Sequence, residues 1–239
     1  GGPEPRLPAA FPGRCSQPGR AGEQHRQRVG WKKIFYIFDE TDSTNTEIKK
    51  AAEKDAPHGT LAVADYQSMG KGRRGRSWAA PHGVGIWMSL LLRPELSPTC
   101  ASMLTLVAAL AVADGIREVC DLEAKIKWPN DIVVNGKKVC GILTEMSTEL
   151  ECINYIVTGI GINVANHEFP GGDSGCGNVS VSGDRKRSAR SQLIAAIMRA
   201  YEGYYDKFME NQNMKSLMDV YNSRLDKLRY TGARPVSGQ

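Results

Sequence analysis

Ile132-Val-Val-Asn-Gly-Lys-Lys-Val139 places Asn135-Gly136 between two β-branched runs. Asn-Gly tolerates the two left-handed residues that a tight hairpin turn requires, so this stretch predicts two antiparallel strands joined by a two-residue loop. Towards the N-terminus, Lys125–Lys127 reads as a short strand stopped by Pro129, and Pro98 to Cys120 reads as one long helix. The Ala, Leu and Val of that helix are too dense for a solvated face, so it should be largely buried. Gly85–Leu92, Thr60–Tyr66 and Lys33-Ile-Phe-Tyr-Ile-Phe38 are further strand candidates. Between the last two, Asp42-Ser-Thr-Asn45 opens a helix, with Thr44 and Glu47 at capping-box spacing. Towards the C-terminus, Cys152–Val164 makes another strand, and residues 165–188 are polar and Gly-rich without periodicity. Ser191–Met209 and Met214–Leu228 close the chain as two helices. This order breaks the strict βαβα alternation of parallel folds. It predicts an α+β domain, a mixed β-sheet with helices packed mainly on one face.

Composition shifts at Gly30. Residues 1–30 are rich in Gly, Pro, Arg and Gln and too poor in apolar residues to build a core, so a disordered leader is expected there. The domain is expected over 31–229, followed by a Gly/Pro-bearing tail over 230–239. The formal charge is +5, yet residues 1–30 hold five arginines against two glutamates, and residues 184–190 hold four basic side chains against Asp184. Those two segments account for the whole excess, so the body of the domain is near neutral and a general nucleic-acid-binding surface is not implied. Six cysteines are scattered without a C-x-x-C pair or nearby His spacing, which argues against a zinc site and a disulfide framework. Reduced thiols in the cytoplasm are the simplest reading. No run of about eighteen or more apolar residues stands out, so no membrane span is expected.

Gly70-Lys-Gly-Arg-Arg-Gly-Arg76 interleaves three glycines with four basic side chains. Backbone without Cβ atoms can approach an anion closely while the charges neutralise it, which is the composition of a phosphate cradle. It is not a Walker loop, since G-x-x-x-x-G-K-[ST] is absent. A solvated basic loop has the same composition, but the position between two strands favours a site. Lys127-Trp-Pro-Asn-Asp131 is by itself well suited to a plain turn. Lys137 and Lys138 alternate on the second hairpin arm, so one of them points inward, where an anion would have to offset its charge. Gly141 leaves the backbone smooth beside it, and Ser43, Thr44 and Asn45 taken alone read as helix-capping residues.

Taken together, Asp42-Ser-Thr-Asn45, the run from Tyr66-Gln67 through Gly70–Arg76 to Ser77-Trp78, Lys127–Asp131, Gly136–Leu143 and Gly159-Ile-Gly-Ile-Asn163 resemble the motifs of biotin protein ligases in order and spacing. The resemblance covers residues 31 to about 230. It implies a biotin/lipoate-ligase-like catalytic domain that forms biotinyl-5′-AMP from biotin and ATP and transfers biotin to a lysine of a biotin carboxyl carrier protein. It implies a pocket lined by Ser43, Thr44, Asn45, Gln67, Gly70, Lys71, Gly72, Arg73, Lys138 and Gly141. Lys138 would hold the biotin carboxylate, Arg73 would clamp phosphate, and Asp131 would orient a cation, either Mg²⁺ or lysine. Mg²⁺ is expected to arrive with ATP, as no dedicated carboxylate cage is visible. Several family members carry Arg where this chain has Lys71.

Relatives usually carry a Thr-Ser-Leu element after the strand ending at Asn163, and this chain does not, so adenine contacts are not assigned there. Neither the family's small C-terminal β domain nor its helix-turn-helix is read in the sequence, so DNA is not expected as a partner; a homodimer remains compatible. Three rival functions share parts of the pattern, one of them a non-catalytic binding module that retains the pocket without turnover. A lipoate or octanoate ligase has the same reaction type, but its substrate would leave Ser43, Thr44 and Gln67 unsatisfied. A DNA-binding repressor would use the Gly/Arg run on phosphates and show steep salt dependence.

Overall fold

The computed structural model of the protein describes residues 31, 34–149, 152–166, 175–179 and 186–226. The expected leader and tail therefore lie outside the described residues. The strands are β1 (Phe35–Thr41), β2 (Leu61–Gln67), β3 (Gly85–Leu92), β4 (Ala124–Lys127), β5 (Asp131–Val134), β6 (Lys137–Glu149) and β7 (Cys152–Asn163). They form one seven-stranded sheet in the order β1-β2-β3-β7-β6-β5-β4. β1 and β2 run parallel, and every other neighbouring pair is antiparallel. The predicted hairpin joins β5 to β6. Asn135 at φ 50° and Gly136 at φ 74° both occupy the left-handed region, the signature of a type I′ turn whose twist matches that of the strands.

Five helices accompany the sheet among the described residues: α1 (Thr44–Glu53), α2 (Pro98–Ala101), α3 (Leu104–Cys120), α4 (Lys186–Asn211) and α5 (Met218–Arg224). α3 and α4 cover one face. Leu104, Val107, Leu110 and Ile116 of α3 are fully buried in one core cluster with Ile86, Met88 and Leu90 of β3 and Ile197, Tyr201 and Phe208 of α4. A Cβ on Gly115 would lie 2.5 Å from Ile197 Cγ1, so the glycine lets α4 approach α3 closely. α1 covers the opposite face, where Ile48 and Ala52 pack against Ala62, Leu91 and Val157. Leu61 and Ala62, or Leu90 and Leu91, thus serve different clusters, as the two-residue period of a strand dictates. Burial of each such Leu or Ile contributes roughly 1.5–3 kcal/mol.

Two arginines tie helices to the sheet. Arg93, just past β3, donates from Nη2 to Ala52 O (2.7 Å) and from Nε to Ala56 O (2.9 Å), satisfying carbonyls at the C-terminus of α1. Arg190 of α4 donates to Asp65 Oδ1 of β2 at 2.7 Å.

Several sequence expectations need correction. The helix over Pro98–Cys120 is broken after Ala101, so that α2 and α3 are separate, Pro98 starting the first. This stretch also has the length and apolar composition of a membrane-crossing helix, with mean hydropathy 1.8, although no such run was expected. Here it packs against sheet and α4 instead. The Thr44/Glu47 capping box does not form: Ser43 is the N-cap and makes no side-chain cap, while Thr44 N–H donates to Gln67 Oε1 at 2.7 Å. The last helix begins as a 3₁₀ turn at Lys215–Leu217 and ends at Arg224, where Leu225 turns extended and bridges Ile126. Cys152 is disulfide-bonded, against the expectation that the cysteines are reduced; Cys100, Cys120 and Cys140 carry free thiols.

Candidate active site

The parallel β1–α1–β2 unit places the N-terminus of α1 on the sheet face opposite α3 and α4. Ser43, Thr44 and Asn45 are 3%, 3% and 4% exposed there. Gln67 ends β2 beside them, and the Gly/Arg loop follows. That loop is folded back on itself: Trp78 N–H donates to Gly70 O (2.8 Å), Gly72 N–H donates to Arg76 O (2.7 Å), and Lys71 bridges Ser77. Arg74 at φ 57° and Gly75 at φ 73° make the reversal. The result is a cavity of about 60 Å³ between loop, helix N-terminus and the middle of β6 and β7.

One end of the cavity is neutral and polar. Gln67 Oε1 accepts from Thr44 N–H, and Thr44 Oγ1 lies 3.0 Å from the same oxygen. Ser89 of β3, completely buried, lies 2.7 Å from Thr44 Oγ1 and 2.5 Å from Asn45 Oδ1. Asn45 Nδ2 donates to Glu145 Oε2 (2.7 Å), and Lys49 Nζ donates to the other carboxylate oxygen, also at 2.7 Å. Burial pushes the Glu145 carboxyl up, but hydrogen bonds from Lys49 and Asn45 and the charges of Lys49 and Lys71 outweigh it and hold the group below the usual carboxylate range. Gly159 is needed for this arrangement, since a Cβ there would stand 2.2 Å from Asn45 Oδ1.

The other end is cationic. Lys138 Nζ pairs with Asp131 Oδ1 at 2.8 Å and lies 5.2 Å from the centroid of the Trp78 ring. Trp78 itself lies over bare backbone: a Cβ on Gly141 or Gly161 would come within 2.7 Å of the indole. Its Nε1 is buried with no hydrogen-bond partner among the described residues. Arg73 Nη1 donates to Asn130 Oδ1 (2.8 Å), tying the Gly/Arg loop to the Lys-Trp-Pro-Asn-Asp turn, and Lys71 Nζ donates to Thr46 Oγ1 (2.9 Å). Cations at one end and uncharged donors and acceptors at the other suit a ligand with a polar ring and an anionic reacting group.

Of the residues singled out in the sequence, Ser43, Thr44, Asn45, Gln67, Lys71, Gly72, Arg73, Lys138 and Gly141 line this one cavity. Gly70 and Asp131 stand just outside its lining. Gly70 has no room for a Cβ, which would fall 2.3 Å from Trp78 O, and Asp131 acts on the cavity through Lys138. Of the two lysines in the hairpin, Lys138 is the inward one and Lys137 is exposed. The residue-by-residue reading missed Trp78, Asn130, Gly159 and Gly161 as lining residues, although all four sit inside the quoted motifs; it also missed Trp87, Met88, Ile142, Leu143 and Ile160, which look like ordinary strand residues. Ser89 and Glu145 gave no sequence signal. A second cavity of about 430 Å³ adjoins the first, sharing Arg73, Ile142 and Leu143 and opening past Thr105, Trp128 and Met146. Among the described residues no group of three or more His, Cys, Asp and Glu is arranged to hold a metal.

Comparison with known proteins agrees with the geometry. Residues 37–163 match the model of the biotin/lipoate A/B protein ligase family. The chain is 37% identical over 200 residues to the bifunctional ligase/repressor BirA of Bacillus subtilis, covering 81% of this chain and 61% of the relative. It is 42% identical over 127 residues to the biotin–[acetyl-CoA-carboxylase] ligase of Paracoccus denitrificans, 52% of each chain. The chain therefore spans only about half to three-fifths of these relatives' length. Among solved structures, the biotin protein ligase of Aquifex aeolicus in complex with biotin and ATP superimposes with a TM-score of 0.67 at 28% identity, covering 82% of this chain and 80% of the other. With a matching sheet, a matching motif set and a family match spanning more than half of its length, this chain belongs to the biotin/lipoate A/B protein ligase family.

Proposed function

We propose that this protein is an ATP-dependent biotin protein ligase, which joins biotin to AMP as biotinyl-5′-AMP and then transfers biotin to a lysine of a biotin carboxyl carrier protein. The observation that carries the reading is the polarity of the first cavity: Ser43, Thr44 and Gln67 at one end, Arg73 and Lys138 at the other. The ureido ring of biotin offers two N–H donors and one carbonyl, which the first group satisfies. The carboxylate of the same molecule then lies towards the cations.

In the first step the carboxylate oxygen attacks the α-phosphorus of ATP and pyrophosphate leaves. Negative charge gathers on non-bridging oxygens as the bond forms, so positioned cations dominate the stabilisation. Lys138 is held for this by Asp131 and the Trp78 face, and Arg73 by Asn130. These pairings fix the cations before substrate enters, which removes the cost of organising them during the reaction. In the second step the carrier lysine, as free amine, attacks the mixed anhydride carbonyl and AMP leaves. Mg²⁺ enters as the counter-ion of ATP, and the residues near the phosphate end are basic rather than a carboxylate cage.

The decisive test is mass spectrometry of a carrier domain incubated with the full chain, ATP and biotin, with lipoate in a parallel arm. Addition of biotin to one lysine is the expected result. Addition of lipoate alone would transfer the assignment to the lipoate branch of the family.

A further inference from the structure

β1 is one edge of the sheet, and among the described residues no strand pairs with its outer side. Leu61 N–H of β2 donates to Ile34 O at 2.9 Å, so Ile34 turns its backbone groups towards β2. By the alternation of a strand, Phe35 and Ile37 turn theirs outward, which leaves donors and acceptors open to pairing. The side chains of this edge are apolar as well. Ile34, Phe35, Tyr36 and Ile37 make up half of the large hydrophobic residues exposed among the described residues, with Phe35 at 55% and Ile37 at 81%. Phe35 and Ile37 register with Leu61 and Val63, which pack in or against the main core, so the two extend that face of the sheet into solvent. Edge strands are commonly blunted by a charge or a proline within the strand, and Ile34–Phe38 contains neither.

The charges sit at the two ends instead, and with opposite sign. Lys32 and Lys33, outside the described residues, come immediately before the apolar run in sequence, and Asp39 and Glu40, both exposed, come immediately after it. Two such strands laid parallel set like charges side by side, which is unfavourable. Laid antiparallel, the basic end of each strand meets the acidic end of the other. We propose that the β1 edge is an interface for a second copy of this chain, the two β1 strands pairing antiparallel about a two-fold axis through Tyr36. In that register Phe35 of one copy faces Ile37 of the other. Their outward backbone groups then meet as hydrogen-bonded pairs, and the two most exposed side chains of the apolar run cover each other. A two-fold axis through Ile37 would instead bury Phe35 against Asp39, so burial and charge select the same register. The contact is isologous and uses up the open edge of both copies, so it closes at two. No residue of Ile34–Glu40 lines either cavity, which makes this surface separate from the candidate active site. β1 nevertheless ends at Thr41, two positions before Ser43, so pairing restrains the strand that delivers the N-terminus of α1 to the cavity.

The test is sedimentation velocity of the full chain over a range of about 1 to 100 μM, for wild type, D39K/E40K and K32E/K33E. Wild type should pass from monomer to dimer within that range. Each double variant puts like charges at both ends of the antiparallel pair and should weaken self-association by about tenfold or more. An equimolar mixture of the two variants restores opposite charges at both ends, and should recover association to within about threefold of wild type. The mixture is also the folding control, because chains damaged by their substitutions would not regain a partner. Register is read separately. Tyr36→Cys places its thiol at the two-fold axis in a non-hydrogen-bonded pair, where the strands come close enough for a disulfide, so mild oxidant should give a covalent dimer that wild type does not form. Glu40→Cys, far from the axis, should not. A wild type that stays monomeric at the highest concentration overturns the proposal. So does a dimer that both charge variants leave unchanged, which would place the contact on another surface, or a mixture that fails to associate where wild type does.

Discussion

Lys138 Nζ and Asp131 Oδ1 meet at 2.8 Å across the β5–β6 hairpin, so this lysine of the cavity lining is held by the carboxylate that closes the Lys-Trp-Pro-Asn-Asp turn. The pair links two motifs that the sequence presents as separate and makes the tight Asn135-Gly136 turn a functional element.

Lys138→Ala should reduce adenylate formation by about 10² to 10³, the usual effect of removing one charge-stabilising group. Biotin-dependent exchange of pyrophosphate into ATP measures it directly. A variant retaining the wild-type exchange rate would remove Lys138 from the reaction.

Arg73→Gly breaks the hydrogen bond to Asn130 and removes one cation from the phosphate end while leaving the polar end intact. Adenylate should still form but leave the cavity before transfer, so lysines of bystander proteins become labelled. Blotting for biotin on an added inert protein, with Arg73→Lys as the comparison, reads this out; unchanged bystander labelling in an active Arg73→Gly variant contradicts the clamp.

Gly159→Ala drives a methyl to within 2.2 Å of Asn45 Oδ1. Overpacking of this kind costs about 1–3 kcal/mol, and here it also displaces Asn45 from its hydrogen bonds with Ser89 and Glu145. Both the denaturant midpoint and biotin affinity should fall. A drop in stability with biotin affinity unchanged would show that Asn45 is free to move.

His58 gives the fold a pH dependence below neutrality. It is 5% exposed and rings of Trp31 and Tyr205 lie against it; burial lowers its pKa to about 4, against some upward pull from Asp206. The unfolded chain therefore binds this proton from about pH 6.5 downward while the folded chain stays neutral. Stability from this group is fully present above pH 6.5 and is lost as pH falls towards 4, by about 1.4 kcal/mol per unit and about 3 kcal/mol in all. The urea midpoint of wild type should fall more steeply than that of His58→Phe between pH 7.5 and 4.5. Parallel curves would exclude His58 as the cause.

Much of the fold was legible because its determinants are local. The Asn-Gly turn, the two-residue period of the strands and the glycines of the 70–76 loop each act through backbone conformation over a few residues. The break between α2 and α3 was not legible, because helix propensity is continuous there and only packing against the sheet separates the two. Nor was the failure of the Thr44/Glu47 capping box, since the Thr44 N–H finds Gln67, which is 23 positions away in sequence. The motif residues that line the cavity could be named from their order along the chain, and the sequence by itself determined which side chains were available and which turns would present them. Only the tertiary structure decided that Ser89 and Glu145, on strands that look like ordinary sheet in sequence, stand behind Thr44 and Asn45. The physical reason is that these contacts join distant positions: Asn45 and Glu145 lie 100 positions apart, and only the closed sheet brings them within hydrogen-bond distance.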